Sequence, residues 1–347
     1  LDDLELDECG EPTPLEGIAT HNDNDLDIDF SISDVGEERK RIANIRDDVI
    51  RDRTLNAKQQ KVFEVATDNM IKRHFNEETE QLRAYVGGNA GTGKSQVIKA
   101  IADFHEKINL RHTLKLCANT GTAAKHIGGS TTTTLFGFSS KKAGDLQRRF
   151  EKVDTVIIDE ISMIGCTQLA RISKALSKAK CVDPSLPFGN VDMIFFGDFI
   201  QFPPVKDTAL YCGYSKESKR SISKQSEINK QIGMHLWKQI NVILFLKKQM
   251  RQRDPEYVEF LNRLREGRCG DNDVAMLNRR VVGQSVDINS ILETPIITPG
   301  NQLVMAINEL FVEHYSQYTK DYISTAIDYV GRKSNRKQVP KDVAKKI

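Results

Sequence analysis

The chain has 347 residues, 39% of them apolar and 28% charged, which gives room for two domains of ordinary size and a sizeable core. No stretch approaches the roughly 18 consecutive apolar residues of a membrane-spanning helix, so no membrane role is expected. A net charge of +2 hides an asymmetry: 14 of the 48 acidic residues and none of the 50 basic ones lie in residues 1–38, leaving 34 acidic against 50 basic beyond them, a balance that fits a polyanionic partner.

Cys9, Cys117, Cys166, Cys181, Cys212 and Cys269 form no C-x-x-C pair and have no histidine at zinc-finger spacing. They read as reduced thiols of an intracellular protein without structural zinc. The chain opens on Leu1 rather than Met, so a preceding segment is expected. Residues 1 to 50 are acidic and turn-rich, the composition of a flexible tail. Within them Asp23 to Asp29 resembles the start of a calcium loop, but Ile28 stands where glycine is needed and Asp34 where glutamate is needed, which argues against calcium.

From Thr54 the pattern changes to helices alternating with short apolar strands. Helical spacing covers Ala57 to Phe75. Strands are expected at Leu82–Val86, Thr113–Ala118, Val153–Ile158, Val191–Phe196, Val242–Leu246 and Pro295–Ile297. This alternation predicts an α/β fold with a parallel sheet and helices on both faces, its ligands at the carboxyl ends of the strands. The Lys-, Ser- and Tyr-rich stretch 206–231 reads as a polar surface insertion.

Gly88, Asn89, Ala90, Gly91, Thr92, Gly93, Lys94 and Ser95 match G-x-x-x-x-G-K-[ST] in full, between an expected strand and a helix-compatible segment, Ser95 to Lys107. Such a loop wraps backbone N–H groups around phosphate oxygens, with Lys94 reaching the β/γ-phosphates and Ser95 offering its hydroxyl to Mg²⁺. A nucleoside triphosphate is therefore the expected ligand. Val156-Ile157-Ile158-Asp159-Glu160 ends a buried-strand pattern in two carboxylates, suited to holding Mg²⁺ (Asp159) and polarising the attacking water (Glu160). Gln201 follows another buried strand, within Gly197-Asp198-Phe199-Ile200-Gln201-Phe202-Pro203-Pro204-Val205, and is placed to sense a terminal phosphate.

With these strings together, the chain resembles the Pif-one family of superfamily-one DNA helicases over about residues 54 to 308. Leu55-Asn56-Ala57-Lys58-Gln59 is similar to the family's adenine-recognising motif, which would put Gln59 on the base. Ala118 to Ala124 and Gly129 to Gly137 resemble its strand-binding segment, implying DNA contacts from Thr120, Gly121, Thr122, Thr131 and Phe136. Asn119 and Thr133 depart from the family's usual proline and histidine. Leu246 to Gln252 resembles the motif that opens the second motor domain, with Arg251 as the γ-phosphate contact from across the cleft.

The resemblance implies two RecA-like domains: an acidic tail over 1–50, a first domain over 51–240, and a truncated second domain over 241–347. The later Q-G-x-[ST] segment and Ser-Arg motif are not found before Ile347, so a partial chain is expected, in which removal of Arg251 costs little. The implied activity is ATP- and Mg²⁺-dependent 5′-to-3′ movement on single-stranded DNA and DNA junctions, in repair, recombination or replication. The implied setting is the nucleus of a eukaryote, or the mitochondrion. The alternatives are a non-catalytic ATP- and DNA-binding fragment and the helicase module of a Helitron-type transposon.

Overall fold

The computed structural model describes residues 32–138, 143–212, 224–281, 294–316, 329–330 and 337–338. Cys9, most of the calcium-loop-like stretch and residues 213–223 of the expected insertion lie outside the described residues. Helices α1 (Ile32–Asp52) and α2 (Ala57–His74) precede β1 (Arg83–Gly88) and α3 (Lys94–Lys107). Then come β2 (Leu114–Ala118), α4 (Gly121–His126), β3 (Ser130–Thr131), α5 (Thr132–Leu135) and α6 (Ala143–Phe150). The series β4 (Thr155–Asp159), α7 (Cys166–Ala179), β5 (Asp192–Gly197), α8 (Lys224–Lys238), β6 (Val242–Leu246) and α9 (Pro255–Arg265) follows.

The six strands form one parallel sheet in the order β3-β2-β4-β5-β1-β6. Side chains alternate across it with the two-residue period of a strand. On one face Ala84, Val86, Ile157, Ile194 and Phe196 join a core shared with Ile42, Phe63, Ile98 and Phe104 of the first three helices. On the other, Tyr85, Val156, Ile158, Met193 and Phe195 pack with Phe150, Leu169, Ile172 and Met234. Burial on both faces is why these strands read as near-continuous apolar runs.

Asp192, at the start of β5 and 1% exposed, fastens α2 to the sheet. Its carboxylate accepts from Arg73 Nε (2.9 Å) and Nη2 (2.8 Å), from Asn69 Nδ2 (2.6 Å) and from the Leu82 amide (2.8 Å). A paired, fully hydrogen-bonded carboxylate is tolerated at this depth where a lone one is not.

Four expectations are corrected. Residues 32–50 are not tail but most of α1, because Ile42 and Val49, each 1% exposed, bury against the sheet-packed helices. Lys224 to Gln231 belong to α8, held by Met234 and Leu236 in the core rather than looped out. Val242–Leu246 does not open a second domain: it pairs with β1 from Ala84↔Val242 to Gly88↔Leu246 and completes the first sheet. The boundary between the two compact units accordingly falls after Val258 rather than at residue 240. Pro295–Ile297 forms no strand; proline lacks a ladder donor and Ile297 is 95% exposed.

The second unit contains α10 (Asp271–Asn278), α11 (Asn301–Ser316) and a short antiparallel pair, β7 (Tyr329–Val330) with β8 (Lys337–Gln338). Asp273 accepts from Arg263 Nη2 (2.6 Å) and Nε (3.0 Å) and from the Gly270 amide (3.1 Å).

His105 lies in α3, 1% exposed, its Nδ1 2.8 Å from the Ile101 carbonyl and its Nε2 without a partner among the described residues. Burial holds its pKa down at about 4. The unfolded chain protonates this imidazole near its ordinary value of about 6.5, so its contribution is intact above that value and is lost as pH falls towards the folded value. The loss amounts to roughly 3 kcal/mol at most. His105→Leu is expected to lessen the drop in Tm between pH 7.5 and pH 5. An unchanged drop in thermal melts of the two proteins would remove His105 as its source.

Candidate active site

The loop between β1 and α3 turns on Gly91 and Gly93, both at φ +85°, a backbone region costly for any residue with a Cβ. Gly93 caps α3, so the first helical amides and the positive end of the helix dipole face the space above the loop. Lys94, 8% exposed, donates from Nζ to the carbonyls of Gly88 (2.6 Å) and Asn89 (3.1 Å). The lysine is thus laid along the loop, within reach of an anion bound there.

Two glutamines brace this loop from distant parts of the chain. Gln59, 3% exposed, accepts at Oε1 from the Asn56 amide (3.0 Å), closing the capping box of α2, and donates from Nε2 to the Thr92 carbonyl (3.1 Å). Gln249 donates from Nε2 to the Ala90 carbonyl (2.9 Å), and the Met250 amide donates to the Gly91 carbonyl (2.8 Å). Each end of the Gln59 amide makes one bond to backbone, which supports the loop; an amide has a second donor hydrogen and a second acceptor lone pair, so this support is compatible with the adenine contact expected of Gln59.

The carboxyl ends of β4 and β5 supply the opposing wall. Asp159 is 4% exposed and accepts at Oδ1 from the Glu160 amide (2.9 Å). Glu160 sits in the left-handed region at φ 54°, ψ 47°, a conformation held at a cost of about 1–3 kcal/mol. Burial raises the pKa of both carboxyls. Glu160 is raised further by Asp159 and Asp198, while Lys94 draws both back down. After β5, Asp198 accepts from the Ile200 amide at Oδ1 (3.2 Å) and from the Gln201 amide at its carbonyl (2.9 Å), fixing the turn that carries Gln201.

These parts enclose a cleft of about 490 Å³ lined by the phosphate loop, Asp159, Glu160, Gln201 and Arg251. The structure thus brings together Lys94, Ser95, Asp159, Glu160, Gln201 and Arg251. Arg251 does not reach the cleft from a second domain; it belongs to the same compact unit as the phosphate loop, its amide donating to Gln249 Oε1 (3.2 Å). The oxygen donors of Ser95 and Asp159 suit a hard divalent cation. Among the described residues no three His, Cys, Asp or Glu side chains form a metal cluster.

A second cavity of about 420 Å³ adjoins the first, lined by Thr120, Thr122, Ser162, Phe202 and six residues common to both, among them Glu160 and Arg251. Thr120 caps α4 by accepting from the Ala123 amide (3.3 Å), and Thr131 caps α5 by accepting from the Thr134 amide (3.3 Å). Gly121 stands in open space. Phe136 is corrected: it is 2% exposed, with its ring stacked on Phe150 at 5.7 Å, so it is core and not a base contact. Asn119 donates to the Met163 carbonyl (3.2 Å) and accepts from Thr132 Oγ1 (3.2 Å) and Gln168 Nε2 (2.9 Å), tying β2 to the turn after β4.

Sequence reasoning missed Gln249, Met250 and His126, the last lining both cavities. For His126 a signal existed, since Thr122 and His126 are four apart on one helix and share a face.

A sequence model described as "PIF1-like helicase" matches residues 54–275. The chain is similar to the ATP-dependent DNA helicase PIF1 of Saccharomyces cerevisiae, 32% identical over 200 residues that make up 53% of this chain and 21% of that protein. It is also similar to the PIF1 of Xenopus laevis, 30% identical over 223 residues, 61% of this chain and 32% of that protein. It thus spans about a fifth to a third of the length of these relatives. The crystal structure of the Candida albicans Pif1 helicase superposes with a TM-score of 0.54 at 22% identity, over 80% of this chain and 58% of that one, a likeness of fold.

The bracing by Gln249 is open to direct test. A neutral hydrogen bond contributes about 1 kcal/mol, so Gln249→Ala is expected to weaken binding of a fluorescent adenine nucleotide by about threefold to tenfold. Unchanged affinity by titration would show that the loop holds its shape without this residue.

Proposed function

Because the chain belongs to the PIF1-like helicase family, we propose that it carries the ATP-hydrolysing core of a DNA helicase that moves 5′ to 3′ on single-stranded DNA. The observation that carries the reading is one cleft lined by Lys94, Ser95, Asp159, Glu160, Gln201 and Arg251, opening into a second cavity edged by Thr120 and Thr122. This set does not favour a non-catalytic fragment.

In this reading the loop amides and Lys94 bind the phosphates, Lys94 exchanging the carbonyls of Gly88 and Asn89 for phosphate oxygens. Ser95 and Asp159 hold Mg²⁺, which supplies charge neutralisation at the phosphates when bound. Glu160 orients and deprotonates the attacking water; burial and the neighbouring carboxylates raise its pKa, making it a stronger base once ionised. Gln201 holds the same water or the terminal phosphate. Arg251 neutralises charge on the transferring phosphoryl group from within the first unit.

The second cavity is the route of the strand, with Thr120 and Thr122 of its lining along the sugar-phosphate backbone and Gly121 and Thr131, outside that lining, as further contacts. The excess of basic residues beyond residue 38 supports a polyanionic substrate, single-stranded DNA and its junctions, in repair, recombination or replication. The free thiols of Cys117, Cys166, Cys181, Cys212 and Cys269 support an intracellular setting.

Two substitutions separate binding from chemistry. Glu160→Gln is expected to keep ATP affinity while turnover falls by about 10² to 10⁴; equal loss of both, by nucleotide titration and phosphate release, would assign it a structural role. Arg251→Ala is expected to reduce turnover by roughly 10³ or more, contrary to the small effect expected from sequence, because the arginine stands on the same unit as the loop.

Single-stranded DNA is expected to stimulate hydrolysis and to bind with an affinity that falls steeply with salt and depends little on sequence. Salt-independent binding, or hydrolysis indifferent to DNA, would overturn the helicase reading.

A further inference from the structure

Six residues line both cavities: Ser95, Asp159, Glu160, Gln201, Arg251 and His126. Five already have a part in the nucleotide chemistry, and His126 has none. It is the last residue of α4, whose first turn carries Thr120 and Thr122 on the wall of the second cavity. A six-residue helix is about 9 Å long, so one rigid element presents hydroxyls to the strand cavity at one end and an imidazole to the nucleotide cleft at the other.

The attachments of α4 suit a part that shifts as a unit. Ala124 is its one buried residue, and its two ends are held by backbone and cap bonds: Ala123 N to Thr120 Oγ1 (3.3 Å), Gly129 N to the Ala124 carbonyl (2.8 Å). Also lining the second cavity, Ser162, 1% exposed, has a hydroxyl without a hydrogen-bond partner among the described residues. A buried hydroxyl left unpaired costs about 1–3 kcal/mol, so this wall has a hydrogen bond in reserve for another arrangement of the cavity.

We propose that His126 is a positioning residue that couples the state of the nucleotide to the strand cavity: a ring hydrogen bond to the terminal phosphate or its water fixes α4, and with it Thr120 and Thr122. The inference rests on the helicase reading above. It requires no bond to be made or broken by His126, only a hydrogen bond present with the triphosphate and absent with the diphosphate. A ligand shifts an equilibrium only by its difference in affinity for two states, and here that difference is the contact to the phosphate lost on hydrolysis. By reciprocity, DNA in the second cavity changes triphosphate affinity by the same factor.

The test uses the whole 347-residue chain, a fluorescent oligothymidine and anisotropy titrations in saturating ADP and in a non-hydrolysable ATP analogue with Mg²⁺. The parent chain is expected to show a ratio of the two DNA dissociation constants of roughly 5 to 150, the usual span of allosteric coupling. In His126→Ala the ratio is expected to fall to within about twofold of one, and His126→Asn, which keeps a donor near the same place, to restore part of it. A full ratio in His126→Ala, or a parent chain that binds DNA equally in both states, overturns the inference while leaving the helicase reading in place. A parent chain that does not bind the oligonucleotide overturns the reading itself. Should Asn behave as Ala does and both lower the melting temperature, His126 is a packing residue and the inference fails.

Discussion

The phosphate loop is braced from outside itself as well as by its own Lys94 and Thr92. With two glycines in the left-handed region, it presents amides to an anion while its carbonyls are engaged by other groups. Gln59 takes the Thr92 carbonyl from one side, Gln249 takes Ala90, and the backbone of Met250 takes Gly91. The nucleotide site is therefore less a local motif than a junction at which the segment before β1 and the segment after β6 meet on the same eight residues.

The parallel sheet explains why the chemistry converges there. The phosphate loop, the Asp159–Glu160 pair and the turn carrying Gln201 all leave the same edge of neighbouring strands β1, β4 and β5. Burial raises the pKa of both carboxyls, Asp159 raises that of Glu160 further, and the Glu160 amide at Asp159 and the charge of Lys94 offset only part of that. Sheet, burial and charge pull in opposite directions, and an incoming anion with its cation would relieve the conflict. Such opposition marks a site built for a ligand rather than for stability.

What could be read from the sequence was short-ranged. The phosphate loop, the terminal carboxylates of β4 and five of the six expected strands follow from patterns a few residues long, in which glycine, lysine and alternating apolar residues have fixed meanings. What could not be read depended on partners far along the chain. Val242–Leu246 has the alternation of a strand, but nothing local says that its neighbour is β1. Phe136 sits among threonines and glycines, where a base contact and core packing are both open, and its stacking on Phe150 and Phe138 makes it core. Gln59 carries a motif whose usual meaning is a base, and nothing local in it says that its amide also braces the Thr92 carbonyl. Arg251 was placed across a cleft because its string resembles the start of a second domain, whereas its position is set by Gln249 beside it.

The strand order also governs how the molecule is made. Within the six-stranded sheet β1 comes first in chain order, yet it is flanked by β5 and β6, the last two of that sheet, and the tie from Gln249 to Ala90 joins residues 159 apart. Long-range closure of this kind is slow and is completed only late in folding. A nascent chain thus exposes its complete nucleotide motif while about 150 further residues are added, and it gains the full bracing of the loop only when residue 250 has cleared the ribosome. Premature termination anywhere before that point leaves the signature legible and the site unbuilt.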